Sequence, residues 1–187
     1  MSGNSAVIDA TGRYRYALHR QWHEARRIPH GSVLGFDKSV VLWIMLNPST
    51  ADATQDDPTI RRCVGFSQAW GFDGLVVVNL FAVRATNPKA LRLREDFYQS
   101  EHAALIGPEN DATILREAER APLIIAAWGN HGALYSRAEE VCELIGTEKV
   151  RHLGLTKMLQ PRHPLYVRAN QKPIQWVAAS RPSEGER

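Results

Sequence analysis

Residues 40–49 read VVLWIMLNPS, seven apolar side chains that stop at an Asn-Pro-Ser turn. Short apolar runs bounded by turn residues predict strands buried on both faces, which are typical of parallel sheets. Three further runs, at residues 75–78, 123–127 and 150–155, have the same character. Because segments with helical spacing separate them, we expect an α/β fold. It is a single three-layer domain whose central, mostly parallel sheet of four to five strands is flanked by helices.

Helix signals lie between these runs. Asp57-Pro58 combines an N-cap residue with proline at the first helical position, and the helix that starts there is expected to end near Gly71. The other expected segments are helices at 109–120, at 133–145 and around 174–177, a strand or short helix at 14–22, and a surface loop at 84–94.

Length and composition indicate one globular domain. The chain has 187 residues, of which 44% are hydrophobic and 23% charged, so we expect one core over residues 1–180 and a polar tail at 181–187. The net charge of +3 permits a nucleic-acid partner without requiring one. No apolar segment looks like a signal core or a membrane span, which favours a cytoplasmic protein with no membrane partner. Cys63 and Cys142 are expected to be reduced, packed thiols, and the oligomeric state stays open.

Polar side chains follow each of the four apolar runs. Asn47 and Asn79 end the first two, Trp128-Gly-Asn-His131 follows the third, and the loop after the fourth reaches His163. In open α/β sheets, ligands bind beyond the carboxyl ends of the strands, so these side chains are expected to meet in one pocket. Turn chemistry does not explain Asn79, an amide inside an apolar strand that must find hydrogen-bond partners or cost stability. We therefore expect Asn79 to serve a site.

Four segments of the chain resemble, in the same order, the motifs of the uracil-DNA glycosylase superfamily. They are VLWIMLNPSTAD at 41–52, VVVNLFAVRATNP at 76–88, LIIAAWGNHG at 123–132 and QPRHPLYVR at 160–168. As a whole, the chain most resembles a bacterial and phage family of domains of unknown function, DUF 1643, whose own glycosylase relation is an inference from likeness.

The glycosylase resemblance implies an enzyme that hydrolyses the N-glycosidic bond of a flipped, modified or mismatched base. We expect no cofactor and no metal, and no Cys/His spacing indicates zinc. The resemblance implies that Asn47 orients the water near the sugar C1′. Asn79 would bind the Watson–Crick edge of the base, and His163 would donate to a carbonyl oxygen of the departing base. A base inside a duplex must be rotated out before such chemistry, and a leaving anion needs a preorganised donor. DNA is the expected partner ahead of RNA.

The same resemblance implies contacts with the rest of the nucleic acid. Leu165 or Tyr166 would be the wedge that fills the gap left by the flipped nucleotide, and Arg162 and Arg168 would grip the flanking phosphates. Apart from the resemblance, Phe66 lies near one face of the helix after Asp57, where we favour a core position and keep stacking on the base as the alternative. Pro48 and Ser49 complete the expected base-binding set, and Arg84 completes the nucleic-acid-binding set.

The chain departs from the motifs in ways that keep two other functions open. Asn47 has no basic form, so hydrolysis would depend on oriented water or on Asp52 or Asp56 as the base. Met45 stands where the family has glycine. The first alternative is a protein that binds a free nucleobase, a nucleotide or modified nucleic acid without cleavage. The second is a metal-dependent phosphohydrolase in which Asp52 and Asp56 hold Mg²⁺. Asp57 is better explained as a helix cap, and Asn130-His131 as the cap of the helix at 133.

Overall fold

The computed structural model describes residues 3–22, 40–49, 54–85, 87, 91 and 98–176. Within these residues the chain forms seven strands and four α-helices, with short 3-10 helices at Asn130–Ser136, Thr147–Lys149 and Pro164–Tyr166. In chain order the elements are β1 Ser5–Ile8, β2 Arg15–Gln21, β3 Val40–Met45, α1 Pro58–Ala69, β4 Gly74–Asn79, α2 Tyr98–Ile106, α3 Asn110–Arg120, β5 Leu123–Ala126, α4 Arg137–Ile145, β6 Val150–His152 and β7 Ile174–Gln175.

All these strands belong to one mixed sheet in the order β1-β2-β4-β3-β5-β6-β7. The four inner strands β4, β3, β5 and β6 run parallel, and they are the four apolar runs of the sequence. At one edge β1 and β2 pair antiparallel and join β4; at the other, β7 pairs antiparallel with β6. Parallel inner strands therefore place their carboxyl ends along one side of the sheet.

The prediction of a mostly parallel sheet of four to five strands is wrong. The described part of the chain has seven strands in a mixed sheet, because β1, β2 and β7 add antiparallel at the edges. Edge strands of two or four residues carry too few side chains for a periodic signal. The helix expected around 174–177 is also wrong, since Ile174–Gln175 is the strand β7. The expected tail at 181–187 lies outside the described residues.

Helix boundaries follow the sequence signals unevenly. Asp57 caps α1 by accepting from the Ile60 N–H at 2.8 Å, as expected. Helix α4 begins at 137 instead of 133, because Tyr135 and Ser136 adopt positive φ values of 58° and 55° that interrupt a helix. Helix α2 was not predicted, since the apolar residues of YQSEHAALI gather at its end instead of repeating at helical spacing. None of the helices in the described ranges has the length and apolarity needed to cross a bilayer.

Helices cover both faces of the sheet, which gives three layers. Alternate residues of β3 point to opposite faces, as the strand period of two requires. Trp43 and Met45 pack in a core with Ile60 and Phe66 of α1. The intervening residues Leu42, Ile44 and Leu46 pack in a second core with Ile114 of α3 and Val141 of α4. Every β3 residue from 41 to 45 is buried, as expected for a strand covered on both sides.

Buried polar side chains hold the carboxyl end of β4. The amide of Asn110 donates to the carbonyl oxygens of Asn79 at 3.0 Å and Leu80 at 3.1 Å. The guanidinium of Arg137, 2% exposed, donates to the Leu80 carbonyl at 3.0 Å and forms ion pairs with Asp111 and Glu140. These contacts satisfy carbonyls that leave the sheet ladder inside the protein, so the chain is fixed where β4 ends.

A substitution at Gly132 would test the packing of the segment after β5. A Cβ at this buried glycine would overlap the indole of Trp128, which is itself buried. We expect Gly132→Ala to lower the free energy of unfolding by about 2 kcal/mol, as overpacked cores do. The control is Gly65→Ala on the exposed side of α1, where a Cβ meets nothing within 4 Å. It is expected to raise stability by about 0.5–1 kcal/mol. Urea unfolding measures both changes, and equal effects would contradict the packing described.

Candidate functional site

A cavity of about 460 Å³ lies at the carboxyl edge of the parallel strands. Its walls come from the ends of β3, β4 and β5, from the N-terminus of α1 and from the loop after β6. Asn47, Asn79 and His163 all border it, so these three side chains from distant parts of the sequence share one cavity. The other polar side chains on its walls are Arg15, Ser49, Asp57, Thr59, Asn130, His131 and Tyr166.

Asn79 is the last residue of β4 and only 1% exposed. Its main chain is held by Asn110, but neither its side-chain oxygen nor its side-chain nitrogen has a hydrogen-bond partner among the described residues. Leaving buried polar atoms unpaired costs about 1–3 kcal/mol. At the inner wall of the cavity this amide has one donor group and one acceptor group that no described residue engages.

Asn47 lies just after β3, and its side chain makes hydrogen bonds within the protein. Its side-chain nitrogen donates to the carbonyl oxygens of Pro48 at 3.1 Å and Ala85 at 2.6 Å. The Ala85 N–H in turn donates to the Pro48 carbonyl at 3.0 Å. These bonds tie the turn after β3 to the segment after β4, so the Asn47 amide shapes one wall of the cavity.

Asp57 caps α1 and also borders the cavity, a second role that the sequence did not reveal. One carboxylate oxygen accepts from the Ile60 N–H, and the other accepts from the hydroxyl of Ser49. Negative charge at this position interacts favourably with the positive end of the helix dipole. Among the described residues, Asp57 is the carboxylate on the cavity wall.

His163 lies in the loop after β6 at the start of the 3-10 helix Pro164–Tyr166. Its Nδ1 accepts from the Leu165 N–H at 3.4 Å, which leaves the proton of the neutral imidazole on Nε2. Burial lowers the pKa of His163 from its usual value, and the Asp57 carboxylate offsets part of that shift. His163 is therefore neutral at pH 7 and carries an N–H that can donate to a ligand.

Arg62 of α1 holds the His163 loop. Its guanidinium donates to the carbonyl oxygens of Pro164 at 3.3 Å and Val167. The same guanidinium stacks on the ring of Phe66, 4.7 Å from the ring centroid. Phe66, a candidate for stacking on a base, lies in the core against Trp43 and Trp70 and does not border the cavity. Its contacts support the arginine that positions His163.

The segment after β5 forms another wall. Trp128 is buried, and its indole N–H donates to the Gln160 side chain at 2.9 Å. The Gly129 N–H donates to the Pro161 carbonyl at 2.8 Å, which joins this wall to the His163 loop. Asn130 and His131 border the cavity. They do not cap α4, contrary to expectation, because α4 begins only at residue 137.

Arg15 at the start of β2 was missed by the sequence reasoning. Its guanidinium group is buried, with 2% of the residue exposed, and it borders the same cavity. The early arginines of the sequence look like a solvated charge cluster, and only the antiparallel pairing of β2 with β4 brings this one beside the end of β4. A buried cation here favours ligands with carbonyl oxygens or negative charge.

The residues expected to contact a nucleic acid lie at or near the surface. Tyr166 is 78% exposed and borders the cavity, with its ring 6.0 Å from that of His163. Leu165 is exposed beside it. Arg162, Arg168 and Arg84 are also exposed, and Arg162 and Arg84 each donate to a nearby carbonyl, of Leu155 and Gly12 respectively. Ser49 borders the cavity, whereas Pro48 is buried behind it.

The carboxylates proposed for a metal do not form a cluster in the described chain. Asp52 lies outside the described residues, and Asp56 pairs with the guanidinium of Arg20 at 2.7 Å. No group of three or more His, Cys, Asp and Glu side chains within the described ranges could hold a metal ion. Both cysteines are buried, and burial raises the pKa of Cys142 to about 12, so they are not available as thiolates.

The chain belongs to a protein family described as "Protein of unknown function (DUF1643)", which matches residues 15–165 and thus every residue on the cavity wall except Tyr166. This membership confirms the resemblance of the chain to the DUF 1643 family. No curated protein and no solved structure matches the chain.

The unpaired amide of Asn79 predicts an unusual stability change. Leucine has a similar shape without polar atoms, so we expect Asn79→Leu to raise the free energy of unfolding by about 1 kcal/mol. The matched control is Asn110→Leu, which leaves the carbonyl of Asn79 without its donor and is expected to cost about 1–3 kcal/mol. Urea unfolding at neutral pH measures both. If Asn79→Leu destabilises as much as Asn110→Leu does, the Asn79 amide has a structural role.

The lowered pKa of His163 predicts a pH-dependent part of stability. Between this pKa and about 6.5, the unfolded chain binds more protons at residue 163 than the folded chain does. The stabilisation is therefore complete above about pH 6.5 and is lost as the pH falls through the lowered pKa. We expect unfolding free energy to fall less steeply from pH 7 to pH 5 in His163→Gln than in the unmodified protein. Parallel slopes would contradict the burial of the imidazole.

Proposed function

We propose that the cavity of this DUF1643 chain binds a nucleobase turned out of a DNA strand and hydrolyses its N-glycosidic bond, as the resemblance to the uracil-DNA glycosylase superfamily implies. The observation that carries the proposal is the buried amide of Asn79, which borders the cavity with neither polar atom paired among the described residues. A volume of about 460 Å³ lies within the range of small-molecule pockets.

An amide is suited to the edge of a nucleobase. It offers a donor and an acceptor side by side, which matches the alternating carbonyl and N–H groups of an imide edge. The backbone at Asn79 is fixed by Asn110, so the amide is held in place without bonds of its own. A base that cannot bond the Asn79 amide would leave the buried donor and acceptor of that amide without partners. This cost supports a role for Asn79 in selecting the base.

His163 is suited to the departing base. Cleavage of the bond between C1′ and the base nitrogen leaves the electron pair on the base, which becomes an anion. A neutral imidazole with its proton on Nε2 can donate a hydrogen bond to a carbonyl oxygen of that anion. Arg62 fixes the loop that carries His163, so the donor is preorganised.

Asp57 is the residue to which we assign the proton of the attacking water. The water oxygen forms a bond to C1′ as the bond to the base breaks, and the proton of the water passes to the Asp57 carboxylate. Asn47 has no basic form, and its nitrogen is already bonded to Pro48 and Ala85. Asp57 borders the cavity on α1, and the hydroxyl of Ser49 orients it.

The decisive experiment incubates the purified protein with single-stranded and duplex DNA that contain uracil, hypoxanthine or modified pyrimidines. Alkaline cleavage at an abasic site reports removal of the base. We expect removal of at least one base, and loss of that activity in Asn79→Leu, whose fold is expected to be intact. The absence of abasic product from every substrate would overturn the proposal.

Asp57→Asn separates the charge of the residue from its structural role. Asparagine caps a helix about as well as aspartate does, so α1 is expected to remain formed. Removing the base for the attacking water is expected to lower the rate of base removal by about 10²–10⁴-fold. Asp56→Asn, which affects the ion pair with Arg20 outside the cavity, is the matched control. Equal rates for the two variants would remove Asp57 from the reaction.

A second function, binding of a base without cleavage, is favoured by the bonds of Asp57. Both of its carboxylate oxygens already accept hydrogen bonds, from the Ile60 N–H and the Ser49 hydroxyl, which leaves fewer lone pairs for an attacking water. Tight binding of a base-containing oligonucleotide, lost in Asn79→Leu and unaccompanied by abasic product, would establish this function in place of hydrolysis.

A further inference from the structure

One stretch of the chain carries charge of a single sign. Residues 149–176 contain six lysine and arginine residues and no aspartate or glutamate, whereas the remainder has 17 basic and 20 acidic residues. The modest net charge of +3 therefore hides a segregated positive region. It includes the His163 loop, and within that loop Lys157, Arg162 and Arg168 are exposed. A region of this kind attracts polyanions.

The same stretch exposes apolar side chains. Seven large hydrophobic residues are exposed in the described part of the chain, and four of them fall within positions 158–166. Two are Leu165 and Tyr166 beside the cavity. The other two, Met158 at 61% and Leu159 at 62% exposure, form the tip of a separate turn. Exposed apolar side chains can pack against the faces of nucleic-acid bases, while basic side chains next to them contact the phosphates.

The turn that carries Met158 and Leu159 is braced from within. The Thr156 N–H donates to the Gln160 carbonyl at 2.8 Å, and the Leu159 N–H donates back to the Thr156 carbonyl at 3.0 Å. The Thr156 hydroxyl accepts from the N–H groups of Met158 and Gln160. Leu159 has a φ of 57°, which leucine rarely adopts. The fold would gain stability from glycine at this position, so an exposed leucine there motivates the hypothesis that its side chain contacts a partner.

The turn is also attached to the cavity wall. The Gln160 side chain accepts from the indole of Trp128 at 2.9 Å, and the Pro161 carbonyl accepts from the Gly129 N–H at 2.8 Å. Both Trp128 and Gly129 border the cavity. The turn is therefore fixed to the same wall that a nucleic-acid strand bound at the cavity mouth would contact.

We propose that the turn 156–160 is a docking element for a nucleic-acid strand, in which Met158 and Leu159 pack against unstacked bases next to the nucleotide in the cavity while Lys157 and Arg168 contact phosphates. The proposal rests on the proposed function for the occupant of the cavity. It assigns to the site a polynucleotide partner instead of a free base, and it gives that partner a second apolar contact in addition to Leu165 and Tyr166.

The test is fluorescence anisotropy with a labelled single-stranded oligonucleotide at several salt concentrations. Replacing Met158 and Leu159 together by serine is expected to weaken binding about tenfold without changing its salt dependence. Replacing Lys157 and Arg168 together by alanine is expected to reduce the slope of log K against log salt by about 1.4, because two contacts with phosphates of a single strand are lost.

Two further variants separate contact from folding. Leu159→Gly suits the positive φ, so it is expected to raise the melting temperature while still weakening binding. Val7→Ser removes an exposed apolar side chain from β1, at the opposite edge of the sheet, and is expected to bind as the unmodified protein does. Unchanged affinity in the double serine variant would overturn the proposal, as would tighter binding to anionic phospholipid vesicles than to the oligonucleotide.

The same measurements distinguish this proposal from the proposed function. Asn79→Leu is expected to abolish base removal and to keep the dependence of strand binding on salt and on Met158 and Leu159. Strand binding that depends on the tip, with no base removed from any substrate, supports the docking element and overturns the hydrolysis. If the double serine variant removes the base and binds the strand as the unmodified protein does, the hydrolysis is supported and the docking element is overturned.

Discussion

The carboxyl end of β4 is the constraint on which the cavity depends. There the chain leaves the sheet, but the carbonyls of Asn79 and Leu80 stay inside the protein and need donors. Asn110 and Arg137 supply them from α3 and α4, and the Leu80 N–H continues to pair with the Met45 carbonyl at 2.9 Å. Because strand residues alternate, the Asn79 side chain shares the face of Val77, which packs with α1. Side chains of α3 and α4, on one face of the sheet, thus bond the main chain of β4 and set the position of the Asn79 amide on the other face.

The sequence predicts the parts of the fold that depend on local pattern. The four inner strands are continuous apolar runs because helices cover both their faces, and α1 is marked by its cap and proline. The outermost strands β1 and β7 were not predictable, because they have only four and two residues and their pairing is set by tertiary contacts. Strand β2 occupies the segment that the sequence left open as a strand or a short helix. The start of α4 depends on the positive φ of Tyr135 and Ser136, two residue types that give no sign of it.

The candidate site was predictable where strand ends define it and not where folding brings in other elements. Asn47, Asn79 and His163 follow apolar runs, so their meeting at one edge follows from parallel topology. Arg15 reaches the cavity only because β2 pairs antiparallel with β4. The helix-cap pattern already explains an aspartate at position 57, so the sequence gives no further reason to expect this residue on the cavity wall.

The amide at position 47 is a requirement of the local backbone. Its nitrogen donates to two carbonyl oxygens, of Pro48 and Ala85, and so joins the segments that follow β3 and β4. A carboxylate there would face both oxygens without a proton to give and would be repelled by them. This connection therefore excludes an ionised acid at the end of β3. The carboxylate that borders the cavity instead stands on α1, where backbone N–H groups and the helix dipole accommodate its charge. Both oxygens of the Asp57 carboxylate already accept a hydrogen bond, which leaves fewer lone pairs for an attacking water. Hydrolysis at this site would therefore require bond cleavage to the base to run well ahead of attack by water.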